Sequence, residues 1–182
     1  MTTAEMTEPT TPAPADTVPA PAAPRRLGLR VVLVIAALLE AFDALSSVPT
    51  LFGDMSEIPG PGFGGFLIKA HIAAHPVLAL AVLVFAAIGR VRHAIIALAA
   101  IVFMTWLNYM PSVVLHGLEF KGVGAFETPV RVIAFPLMAA CAIALAVRNQ
   151  RLGIATALAS IPTFYSLIGL IIFAVGVSIY GF

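Results

Sequence analysis

The sequence predicts an all-α, polytopic membrane helix bundle with five transmembrane helices, on three observations. Its 182 residues are 60% hydrophobic and only 10% charged, with a mean hydropathy of +1.03, a composition that belongs to membrane proteins. From Leu27 onward the apolar residues fall into blocks, each long enough to cross about 30 Å of hydrocarbon at about 1.5 Å per helical residue. The basic residues collect in alternate connections between those blocks, as they do in cytoplasmic loops.

Residues 1–24 are Pro, Ala and Thr with three acids and no aromatic residue. Such a segment cannot bury enough apolar area to offset the entropy of ordering it, so it reads as a disordered cytoplasmic tail ahead of a membrane domain over 25–182. The spans are about 27–49, 67–88, 93–116, 129–147 and 152–180. The first has a competing reading as a cleaved secretory signal, because its clean apolar run, 31–39, has only signal-peptide length. The hydrophobic stretch nevertheless continues through Glu40 and Asp43 towards Phe52, which favours an anchor. No internal repeat is visible along the chain.

Orientation follows from charge. Arg25, Arg26 and Arg30 precede the first span, Arg90 and Arg92 join the second to the third, and Arg148 and Arg151 join the fourth to the fifth, so seven of the ten basic residues fall on one side. Asp54 and Glu57, then Glu119, Lys121 and Glu127, occupy the alternate loops, with Lys69 and Arg131 at the helix mouths there. An odd span count explains the alternation. It places the N-terminus in the cytoplasm and the C-terminus outside, in an inner membrane.

The polar residues inside the spans carry the functional signal, because a charge at bilayer depth costs about 2.5–3.5 kcal/mol on insertion scales. Glu40 lies about 14 Å and Asp43 about 9 Å in from the outer end of the first span; His75 lies about 12 Å and His71 about 6 Å in on the second, and Asn108 about 12 Å and Ser112 about 6 Å in on the third. Residues three or four apart share a helix face, so Glu40, Asp43 and Ser47 form one stripe, His71 and His75 a second, and Thr105, Asn108, Ser112 and His116 a third. All three stripes fall in the outer half of the bilayer, and the inner halves are almost wholly apolar. Lipid would leave these groups unsatisfied, so the stripes are expected to converge on the bundle interior or on an outward-opening vestibule. Trp106 and Tyr109 flank the third stripe as packing or interfacial aromatics. Pro76, Pro111, Pro136 and Pro162 each remove a backbone donor and kink any helix they interrupt, although Pro76 merely starts its helix if it falls in the first turn. The Gly- and Pro-rich outer loop over 52–66 is a plain connection or a lid over the vestibule.

Three chemistries fit the cluster. In the first, His71 and His75, one turn apart, join Glu40 or Asp43 in holding a divalent transition metal; in a haem variant one of the two histidines is an axial ligand and His116 the second. In the second, Glu40, Asp43, His71 and His75 form a proton or ion relay, as in a proton-coupled transporter subunit completed by a homo-oligomer or a larger membrane complex. In the third, the polar groups are structural: the two acids meet Lys69 and Arg131 while the histidines hydrogen-bond to Asn108 and Ser112, fixing helix register. The candidate ligand or relay residues are therefore Glu40, Asp43, Lys69, His71, His75, Asn108, Ser112, His116 and Arg131.

Other classes find no support. A single cysteine, Cys141, rules out an intrachain disulfide or a CxxC pair. Hydrolase, phosphate-binding, zinc-protease and dinucleotide motifs are missing, and nucleic-acid binding lacks a basic patch beyond the short loops. The partner the chain itself implies is the lipid bilayer.

Overall fold

The computed structural model describes residues 23–52, 62–118, 120–122 and 124–181. Most of the expected N-terminal tail, and the loop acids Asp54, Glu57 and Glu119, lie outside them. The described chain is all helical: α1 (Ala23–Ser47), the short α2 (Pro49–Phe52), α3 (Phe63–Ala87), α4 (Val91–His116), α5 (Gly124–Pro129), a π-helical turn (Val130–Ala134), α6 (Phe135–Val147) and α7 (Leu152–Tyr180). Four stretches are long and apolar enough to cross a membrane: Phe63–Ala87, Val91–His116, Gly124–Val147 and Leu152–Tyr180. Helix α1 is as long as α3 but carries Arg25, Arg26, Arg30, Glu40 and Asp43, so the fifth expected span is the most heavily charged of the long helices and is not among those four.

The long helices form a bundle around α4, which packs against α1, α3, α6 and α7, while α7 also returns to α1. The tight core lies in the half of the bundle nearest Arg30, Arg90, Arg92, Arg148 and Arg151. There Leu33, Ala36 and Ala37 of α1, Ala79, Val82 and Ala86 of α3, Ile95 and Leu98 of α4, Ala139, Ala142 and Ala146 of α6, and Ala155 and Ala159 of α7 are buried. Alanine at so many of these positions lets helix backbones approach closely, which is what drives association where lipid tails are as apolar as the core. Towards the other end the packing opens. No residue of α4 beyond Val102 is buried, nor any of α7 beyond Thr163.

Two helix hairpins repeat one arrangement, a regularity the sequence did not display. Arg30 of α1 donates from Nε to the Ala86 carbonyl at 3.1 Å and from its terminal nitrogen to the Ala87 carbonyl. Arg92 of α4 does the same to the Ala146 and Val147 carbonyls, both at 2.9 Å. Each guanidinium thus forks onto the last carbonyls of an antiparallel neighbour, the end at which a helix runs out of intrahelical donors. The turns that follow match bond for bond: Gly89 N–H to Ala86 and Arg90 N–H to Phe85 in one, Asn149 N–H to Ala146 and Gln150 N–H to Leu145 in the other. The left-handed residue in each is Gly89 (φ 79°) or Asn149 (φ 54°), the two residue types that best tolerate that conformation. The inward-facing positions agree as well. Leu33, Ala36, Ala37 and Glu40 on α1 correspond to Ile95, Leu98, Ala99 and Val102 on α4, and the same spacing recurs in Thr156, Ala159, Ser160 and Thr163 on α7. On the returning helices, His75-Pro76 followed by Ala79, Val82 and Ala86 corresponds to Phe135-Pro136 followed by Ala139, Ala142 and Ala146.

The structure differs from the sequence expectation in two of the spans. Helix α3 starts at Phe63 rather than near 67, so Pro76 is interior and does not start the helix, and Lys69 stands within the helix instead of at its mouth. Gly64 makes the early start possible, because a Cβ there would come within 3.2 Å of Pro111 Cβ on α4. The fourth span is continuous but contains the π turn before Pro136. Proline has no N–H to offer the carbonyl four residues earlier, and that carbonyl, Val132, accepts a 3.0 Å hydrogen bond from Trp106 Nε1 instead. Trp106→Phe keeps the ring and deletes this donor; it is expected to lower stability by about 1 kcal/mol, the low end for a stranded acceptor because this one is only part-buried, as thermal unfolding in detergent will show.

Candidate functional site

Where the core opens, a cavity of about 590 Å³ lies among α1, α3, α4, α6 and α7. Glu40 forms part of its floor. It stands one turn beyond Ala36 and Ala37, on the face of α1 that the core has already turned inward, and its side chain is 13% exposed. Glu40 Oε2 and His75 Nε2 share a hydrogen bond of 2.7 Å, while Thr163 Oγ1 donates to Glu40 Oε1 at 2.6 Å. Both carboxyl oxygens therefore have a partner. His75 is almost fully buried, and its second nitrogen, Nδ1, is 4.0 Å from Asp43 Oδ2. The Asp43 side chain is 74% exposed at the cavity mouth. One turn further along α3, His71 stacks obliquely on His75, with ring centroids 5.1 Å apart.

The expected convergence of the first two stripes is thus present, and the structural pairing is different from the one the sequence suggested. Lys69 makes no ion pair among the described residues and does not line the cavity; two residues from His71, it points to the opposite side of α3. Arg131 does line the cavity, but its guanidinium pairs with Glu127 at 3.5 Å, one turn earlier on its own helix. His75 and Thr163, not the two cations, partner Glu40. The third stripe divides. Thr105 and Asn108 line the main cavity, whereas Ser112 and His116 are exposed and line a separate one of about 360 Å³ with Tyr109 and Lys121. His116 Nδ1 lies 3.2 Å from the Ser112 carbonyl of its own helix, so it does not face His71 or His75 as a second axial ligand would. Neither histidine bonds to Asn108 or Ser112.

Among the described residues no three His, Cys, Asp or Glu side chains gather where they could hold a metal ion. His71, His75, Glu40 and Asp43 are neighbours, but Glu40 and His75 have spent their facing atoms on each other. Three buried side-chain atoms have no hydrogen-bond partner among the described residues: His71 Nδ1 and Asn108 Oδ1, on residues that line the cavity, and Ser160 Oγ on α7.

Thr163 was missed by sequence reasoning, although a signal for it exists: Thr156, Ser160 and Thr163 form a polar stripe on one face of an otherwise apolar span. Comparison with protein-family models, with curated proteins and with solved structures finds no match, and the chemistry of this membrane pocket, a buried His75 paired with Glu40, is read from its own side chains.

Proposed function

We propose that the chain crosses an inner membrane five times, with residues 1–24 as a cytoplasmic tail, and that its pocket binds a small ligand in the outer half of the bilayer with proton exchange at Glu40 and His75. The arginine-rich end supports the orientation, since all the short connections there are basic. The observation that carries the pocket reading is the line from mouth to floor: exposed Asp43, then His75 Nδ1 at 4.0 Å, then His75 Nε2 to Glu40 at 2.7 Å. An imidazole can take a proton on one nitrogen while giving one up from the other, which suits it to join a wet carboxylate to a dry one. Beyond Glu40 the line stops. Leu33, Ala36, Val82, Ile95 and Leu98 fill the arginine-end half without a titratable group. That dead end favours exchange with one side, coupled to binding, over conduction through the bundle.

Trp106 is the sole tryptophan and lines the cavity, so its fluorescence reports on the pocket. The other titratable or charged groups facing the cavity are Asp43, His71, Tyr109 and Arg131, and α7 contributes none. In lipid nanodiscs the emission of the wild type is expected to change as pH is varied over the range in which the protein stays folded. Glu40→Gln is expected to abolish the change while the protein remains folded by near-UV circular dichroism. A wild type with no response, or an unaltered response in the folded Gln variant, would defeat the proposal.

A further inference from the structure

We propose that the ligand of this pocket is a protonated amine with an apolar body, seated with its charged head on Asp43 at the mouth and its body along the aromatic side chains that line the cavity. The inference rests on the pocket reading above and adds the chemical class of the ligand.

The charge balance of the cavity selects a cation. Two carboxylates, Glu40 and Asp43, line it against one guanidinium, Arg131, and that guanidinium already has a carboxylate of its own, Glu127, at 3.5 Å. Glu40 is the inner acid, with both oxygens engaged by His75 and Thr163. Asp43 is the outer one. Ser46 and Ser47 bond to its backbone carbonyl and leave its carboxylate alone, and His75 Nδ1 stands 4.0 Å from it, beyond hydrogen-bonding distance. With its side chain 74% exposed, Asp43 is open to a ligand that arrives from solvent. An ammonium N–H replaces water on that carboxylate with a charge-assisted hydrogen bond.

The walls select an organic cation over a bare ion. Leu39, Ile101, Val102, Leu167 and Leu170 line the cavity, and its volume of about 590 Å³ lies within the range that holds small organic molecules. Phe42, Trp106, Tyr109 and Phe173 add aromatic surface, which attracts a cation through the ring quadrupole. The 3.0 Å bond from Trp106 to the Val132 carbonyl fixes that indole as part of the wall before any ligand enters.

The same ligand class accounts for the link to protons. The titratable and charged groups around the site are Glu40 and Asp43 on α1, His71 and His75 on α3, Tyr109 on α4 and Arg131 in the π turn, and α7 adds none. Each proton that these groups take up adds positive charge and works against a bound cation; an imidazolium at His75 would contend with the ammonium for the Asp43 carboxylate. Proton and amine therefore weaken one another's binding, reciprocally.

Trp106 emission in nanodiscs of zwitterionic phosphatidylcholine at neutral pH tests the assignment with phenylbutylamine, phenylbutanol and phenylbutyrate, which share one body with the ring at the far end of the chain. The amine is expected to half-saturate at a concentration about fivefold or more below the alcohol, the scale of one solvent-exposed ion pair, and the carboxylate to bind weakest. Asp43→Asn is expected to remove that preference, while added salt or a lower pH weakens the amine more than the alcohol. Equal affinity of amine and alcohol, tighter binding of the carboxylate, no saturable change with any of the three, or a preference that survives in the folded Asn variant overturns the proposal. The ligand-free pH response of Trp106 separates the two levels. If it is present without an amine preference, the ligand class falls alone; if it is absent, the pocket reading falls with it.

Discussion

Replacing His75 with leucine is expected to destabilise the protein by about 3–5 kcal/mol, the range for removing one partner of a buried ionic hydrogen-bonded pair. Glu40 would keep only the Thr163 hydroxyl and would face apolar surface where the imidazole now stands. The loss comes from the stranded carboxyl more than from the missing bond, because removing both partners at once leaves nothing unpaired. The second hairpin shows what that looks like: Val102 and Phe135 occupy the positions of Glu40 and His75 in the same helical register. The double variant Glu40→Val/His75→Phe is therefore expected to recover most of the stability lost by His75→Leu while abolishing the pH response of Trp106. Thermal unfolding of the three proteins in one detergent measures this. A double variant no more stable than the single one would show that the pair, and not the stranded acid, carries the energy.

The second large effect concerns the arginine clamps. Arg30→Gln and Arg92→Gln each remove two charge-assisted hydrogen bonds to helix C-terminal carbonyls. Each is expected to cost about 1.5–3 kcal/mol, with Arg92 nearer the lower figure because its side chain is the more exposed. Lysine should rescue neither, since an ammonium cannot present the planar fork that spans adjacent carbonyls. The two sites share no acceptor, so their costs should add, to about 3–6 kcal/mol in the double variant. Strong non-additivity in a double-mutant cycle would contradict independent clamps, and full activity of the lysine variants in resisting unfolding would contradict the geometric argument.

Much of the architecture was legible because hydrocarbon imposes a length on apolar runs and connections collect arginine. The face-to-face placement of Glu40 and His75 was legible for a similar reason: each interrupts an apolar helix at comparable depth, and neither can face lipid. What could not be read was which partner each would choose. Lys69 and Arg131 looked suitable by charge, but helix phase turns Lys69 away and Glu127 engages Arg131 locally. The start of α3 was hidden because Gly64 and Gly65 look like a loop until Pro111 is seen to fit against the first of them. The paired hairpins were hidden because corresponding inward positions share few identities: Leu33 matches Ile95, Ala36 matches Leu98, Val82 matches Ala142 and His75 matches Phe135.

The Trp106–Val132 bond shows how the same proline can have opposite consequences in the two hairpins. Pro76 and Pro136 interrupt corresponding helices, yet only the carbonyl before Pro136 meets an indole, because Trp106 stands on α4 where α1 has Ala44. In that hairpin the interruption is sealed, and phenylalanine fits beside it. In the first, Ala44 offers no donor, so the carbonyl freed by Pro76 has no indole to meet. The tryptophan thus braces one hairpin at its proline and leaves the other without that brace.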